Sequence, residues 1–220
     1  FKGARQMSAI GMANNDNGEG FTFMDILNFT GEMARMQRGG GNFNISMTSD
    51  QASAMGVSNF GGNNGITTAR GGGLNYNNII GKKLDLQSNY FYNYMNPEQE
   101  SHIQRQYLLP GTSYYNQNAY TDNVNKNHRL NLNLLWQLDS LNSIRITPSF
   151  SYQKTDNRSK TDYQTRAANQ SLTNEGFNNS TSANEGCSLR NDITWRRKFA
   201  RKGRTFSLSL QTSLNESEGD

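Results

Sequence analysis

The chain has a single cysteine, Cys187, so no disulfide framework or cysteine metal cluster can be built from it. It has only two histidines, His102 and His128, which leaves few candidate general bases or metal ligands. No stretch approaches the eighteen or so consecutive apolar residues of a membrane-crossing helix, and mean hydropathy is −0.84. Low hydropathy does not exclude a transmembrane β-barrel, because half of each spanning strand faces water. The net charge is a modest +4, with both signs mixed along most of the chain.

What is abundant is turn and strand chemistry. Asparagine occurs 31 times and glycine 21 times, yet ten tyrosines and eleven phenylalanines argue against a disordered chain. Several segments alternate strictly. Ile144, Ile146, Pro148, Phe150 and Tyr152 share one face, opposed by Arg145, Thr147, Ser149, Ser151 and Gln153. Phe206, Leu208, Leu210, Thr212 and Leu214 repeat the pattern against Thr205, Ser207, Ser209, Gln211 and Ser213. A period of two gives each segment one oily and one wet face.

Seven strands are expected. The first runs Ala4 to Ala13 and the second Gly65 to Asn78, weakened by Gly71-Gly72-Gly73. The third starts at Leu84 and continues, polar on both sides, towards Tyr107. The fourth starts near Tyr114 and becomes amphipathic at His128, with Leu130, Leu132, Leu134 and Trp136 on one face. The fifth starts at Ile144 and fades by Thr155. The sixth is marked by Leu189, Ile193 and Trp195, and the seventh starts at Thr205. Short turns fall at 79–83, 139–143 and 198–204. Long polar loops are expected at about 14–64 and 166–186, the first carrying a short helix within Phe21 to Met36 capped by Thr22. The run Arg196, Arg197, Lys198, Arg201, Lys202, Arg204 reads as a solvated turn rather than a nucleic-acid contact, since both flanks alternate.

The oily portions all adjoin the short turns and the polar extensions lie at the other end. Trp136, Trp195 and Phe206 mark one boundary of the oily zone; Tyr92, Tyr94 and Tyr152 mark the other. Short turns at one end, long connections at the other and two aromatic girdles are the pattern of an antiparallel up-and-down transmembrane β-barrel. A soluble β-sandwich alternates in the same way, but its strands are commonly 3–10 residues long, and the polar outer halves would have no core there.

The segment from Met7 to Asn17 with Gly20 to Leu27, the stretch Gly65 to Asn77, Gly81 to Asp85 with Ser88 to Asn93, and Asn127 to Leu132 with Trp136 to Ser140 together resemble the TonB-dependent-receptor-like outer-membrane β-barrel family of Bacteroidetes. The resemblance covers most of the chain and rests on strand and turn signatures. It implies a partial barrel, about seven of about 22 strands, from a transporter closed by an N-terminal plug. It implies outer-membrane lipid as surroundings, an inner-membrane TonB energy complex acting through that plug, and a large extracellular nutrient as ligand. Phe1 in the place of Met, with a strand leaving at Asp220, fits an internal stretch of a longer protein.

The leading expectation is therefore a wall segment of an outer-membrane importer, and the alternative a surface adhesin or glycan-binding β-protein without transport. Loop candidates for ligand contact are Phe21, Phe23, Met24 and Phe29; Tyr114, Tyr115 and Tyr120 would suit sugar stacking or cross-strand pairing. No nucleophile-and-base constellation has supporting context, so no enzyme is expected. Neither is a metal or cofactor: Met33-Ala34-Arg35-Met36 has a spacing open to Cu(I), but no second cluster accompanies it.

Overall fold

The structure, a computed structural model, describes residues 5–15, 65–108, 112–201 and 203–220. It is all-β. Seven strands follow in order: β1 (Arg5–Asn14), β2 (Ile66–Ile80), β3 (Leu84–Tyr107), β4 (Ser113–Gln137), β5 (Asn142–Ala167), β6 (Leu172–Lys198) and β7 (Thr205–Gly219). Each pairs antiparallel with its chain neighbour, giving one open up-and-down sheet in the order β1 to β7. Among the described residues no helix is long and apolar enough to cross a membrane, which has no bearing on crossing by strands.

Three short connections close the same end. Gly81, at φ 62°, and Gly203, at φ 82°, supply left-handed backbone that a side chain would strain. The middle turn is closed by a carboxylate instead. Asp139 Oδ1 accepts the amides of Leu141 and Asn142, each at 2.7 Å, and the Asn142 side-chain amide donates to both its oxygens. These bonds, the Asn142 side chain first, hold the Asp139 carboxyl below its ordinary pKa.

One expectation is overturned. Residues 166–186 do not form a long loop: Ala167 ends β5, only 168–171 turn, and Leu172 opens a 27-residue β6. The segment escapes a hydrophobic-period reading because it is polar on both faces. Its ladder to β5 holds it extended, from Thr165↔Asn174 to Lys154↔Glu185, with Ser and Thr that suit a strand. The tip is tight, with Gln170 at φ 63° and the Ala167 amide donating to the Ser171 carbonyl at 2.9 Å. The asymmetry read as long against short connections therefore lies within the strands, whose halves differ in polarity. Of the expected 14–64 loop, Asn14 belongs to β1, Asn15 follows it, and 16–64 lie outside the described residues; so do the proposed helix and Met33 to Met36.

Two prolines sit inside long strands. On either side of β4 the ladder has a gap two residue pairs wide, between Met95↔Asn125 and Glu98↔Asp122, and between Asn131↔Ser149 and Leu134↔Ile146. Pro97 and Pro148 lie in these gaps. Neither can donate a hydrogen bond, and each remains paired on its other side, with Thr67 and Asn191. The register is the same before and after each gap, so the strands stay aligned.

Candidate functional site: the two faces of the sheet

The register resolves the sheet into rows. Ile80, Leu84, Trp136, Ile144, Trp195 and Leu208 stand side by side across six strands. The next row on that face holds Leu86, Leu134, Ile146, Ile193 and Leu210. A third holds Met7, Tyr76, Leu132 and Pro148, interrupted by Ser88, Asn191 and Thr212. A fourth holds Ala9, Leu74, Tyr90, Leu130, Phe150, Leu189 and Leu214. Leu74, Trp136, Phe150, Leu189, Leu208, Leu210 and Leu214 are all substantially exposed, the last at 70%.

A row of Tyr92, His128 and Tyr152 closes this oily band. The His128 ring lies 4.7 Å from Tyr92 and 6.1 Å from Tyr152, and its Nδ1 is 2.8 Å from the Tyr90 hydroxyl. Tyr152 donates to Glu185, which also pairs with Lys154 at 3.7 Å. Beyond it the same face turns ionic: Arg70, Tyr94, Lys126, Lys154, Glu185 and Glu218 share a row. The first apolar row, through Leu84 and Trp136, and the aromatic row of Tyr92 and His128 are eight residues apart on each strand, about 27 Å along the chain.

The opposite face is mainly polar in the same zone, with Ile10, Ile79, Phe91 and Leu135 as apolar exceptions. Asn131 donates to Asn89 at 3.0 Å and accepts from Ser149 at 2.6 Å, and Asn133 donates to Gln87 at 3.1 Å. Ser188 donates to Asn215, and Thr194 meets Ser209. The most buried residues also lie on this face: Thr67, Ala69, Phe91, Asn93, Met95, Asn125 and Asn127. Over the band the sheet therefore presents its oily side outward, while its most buried residues lie on the other face and, Phe91 apart, beyond the Tyr92 row, unlike a soluble sandwich layer that buries its oily side.

At the far end both faces are polar, and here the expected tyrosines part. Tyr115 lies on the same face as Asn93 and Asn127, stacked on Tyr163 with ring centroids 6.3 Å apart, under the Arg105 guanidinium at 5.9 Å; its hydroxyl donates to Gln117 at 2.7 Å. Tyr114 and Tyr120 lie on the other face, three rows apart, so the adjacent Tyr114 and Tyr115 cannot grip one ligand together. The structure thus joins Tyr115 to Arg105 and Tyr163, neither singled out in the sequence. Phe21, Phe23, Met24 and Phe29 lie outside the described residues.

Below Tyr114 on that outer face runs a groove of about 490 Å³, lined by Asn116, Asn118, Asp162, Gln164, Glu175 and Phe177 among others. His102 and Asn118 are hydrogen-bonded at 2.8 Å beside it, and Phe177 is 74% exposed. No group of three or more His, Cys, Asp or Glu placed to hold a metal occurs among the described residues.

The class this architecture defines is an all-β chain with one open antiparallel sheet, oily on one face and polar on the other over half its height. No protein-family model matches the chain, and no curated protein matches it significantly.

Proposed function

We propose that the chain is part of the wall of an outer-membrane transporter of the TonB-dependent-receptor-like kind, its oily face towards lipid and its polar face towards the interior of a larger barrel. The observation that carries this reading is the pairing of an exposed oily band with a mainly polar opposite face. From the Trp136 row to the Tyr92 row the third strand spans nine residues, Leu84 to Tyr92, which agrees with the 9–11 residues of a bilayer-spanning strand. Aromatic rows at both limits of the band agree with interfacial girdles. An open seven-stranded sheet needs further strands to close, in keeping with a barrel of about 22. A polar interior wall suits the passage of a large hydrophilic nutrient such as a glycan or siderophore, driven by a TonB complex acting on a plug.

The test has two parts. With Cys187 replaced by Ser, single cysteines placed from 129 to 134 in the membrane-inserted protein should alternate, odd positions reacting with a water-soluble maleimide and even positions only with a lipid-soluble one. A water-soluble, monodisperse monomer that melts cooperatively and shows no alternation would end the membrane reading. For transport, deleting the whole gene should abolish uptake of one large nutrient while small solutes still enter.

A second reading, a surface glycan-binding protein without transport, draws on the groove beside Phe177, where an exposed ring stands among amides and carboxylates. Glycan binding that persists with no effect on uptake would favour it.

A further inference from the structure

The short-turn end carries the densest run of like charge among the described residues. Lys82 and Lys83 stand at one turn, and Arg196, Arg197, Lys198, Arg201 and Arg204 at another; every one of them is exposed. The ion pairs among the described residues are Lys154–Glu185 and Arg190–Asp192, so none of these cations is in a direct ion pair, although Lys83 donates to the Leu138 carbonyl at 3.2 Å. Asp139, in the turn between them, is held by Asn142 and its own turn amides and also feels the Arg197 charge, one carboxylate against seven cations. Cations in such excess over carboxylates leave each turn with a net positive charge that further anions would offset.

Their position decides which anion. Arg197 lies opposite Phe206, on the oily face, one row outside the Trp136 and Trp195 row. Trp195 and Phe206 meet edge to face at 5.9 Å, and the Arg197 guanidinium sits 5.8 Å from the Phe199 ring. Passing outward along this face, one therefore crosses leucines and isoleucines, then indoles and phenyl rings, then cations. The two basic turns are four strand spacings apart, about 19 Å. A bilayer has the same sequence of layers: acyl chain, interface, headgroup phosphate.

We infer that this rim, formed by Lys82, Lys83, Arg197, Arg201 and Arg204, binds the headgroups of anionic phospholipids in the leaflet at the short-turn end. The inference rests on the membrane-wall reading and adds a lipid preference to it. A cation near an anionic surface favours association roughly fivefold, and the rim is broad enough that one headgroup meets only one or two of them. Preference for an anionic over a zwitterionic lipid is then about five- to twentyfold at low ionic strength, falling as salt is added.

The chain carries its own probe, because its two tryptophans, Trp136 and Trp195, both lie in the row beside the rim. The full chain is refolded into phosphatidylcholine vesicles containing, at equal mole fraction, either brominated phosphatidylglycerol or brominated phosphatidylcholine. Quenching of tryptophan emission by the brominated phosphatidylglycerol should be the stronger, and salt should reduce the difference. The combined variant K82Q, K83Q, R197Q, R201Q, R204Q should quench equally with both lipids, and the charge-conserving R197K, R201K, R204K should retain the preference. Equal quenching of the unaltered protein by both lipids would overturn the inference and leave insertion standing. A preference surviving in the glutamine variant would overturn the assignment to these residues. No quenching by either lipid would overturn the inference together with the membrane-wall reading.

Discussion

The hydroxyl end of the Tyr163 ring on β5 fills the space that a side chain at Gly176 on β6 would occupy. A Cβ built at Gly176 would collide with the Tyr163 hydroxyl and come within 3.0 Å of its Cε1. The glycine thus leaves room for the ring that stacks on Tyr115.

Gly176→Val is therefore expected to push Tyr163 off Tyr115 at a cost of about 1–3 kcal/mol. Urea unfolding of the detergent-refolded chain measures it. Tyr163→Ala with Gly176→Val should cost less than the sum of the two single changes, since the collision is gone.

Leu132 and Asn133 are neighbours on opposite faces of β4. In bilayers, Leu132→Arg should cost about 2–4 kcal/mol and Asn133→Arg close to nothing, because only the first puts a charge into lipid. Equal costs measured by refolding into vesicles would contradict the assignment of faces.

Pro148 leaves the β4 side of β5 without one ladder donor. Pro148→Val should restore it and raise stability by about 0.5–1 kcal/mol, the hydrogen bond partly offset by the freer unfolded chain. Hydrogen exchange should then show a new protected amide at position 148.

Asp139 has a lowered folded-state pKa. Its contribution is accordingly present at and above the ordinary aspartate value and lost as the pH falls through the lower folded value. Asp139→Asn should lower the denaturation midpoint at neutral pH and flatten the acid limb below the ordinary aspartate range. An acid limb identical to that of the parent chain would show that other carboxylates govern it.

Much of the sheet could be read before its coordinates were known. The strand starts at Leu84 and Thr205 coincide with those expected, because the oily halves alternate and the turns beside them carry Gly81, Asp139 and Gly203. The outer half of β6 was hidden because hydrophobic period reports which side of a strand is apolar, and Leu172 to Gly186 has no apolar side. The tier of Arg105, Tyr115 and Tyr163 was hidden for a different reason. Their meeting depends on carrying an unbroken register for some twenty-five residues from the Asp139 turn, and one inserted residue would have moved Tyr115 to the other face. Had the register been extended from that turn, Tyr163 would have fallen diagonal to Tyr115. The tyrosines alone, at positions 114, 115 and 120, carry no such information.

The paired outer halves of β5 and β6 continue fifteen residues past Tyr152 to Ala167, about 50 Å of doubly hydrophilic ribbon. On the membrane-wall reading that ribbon is a mast. It carries the tip at 168–171 clear of the crowded sugars that coat a cell, so a solute would be met at a distance from the bilayer comparable to the bilayer's own thickness. Shortening the mast by equal numbers of residues on β5 and β6 would leave the wall sealed and the register intact, yet withdraw the point of capture into the coat.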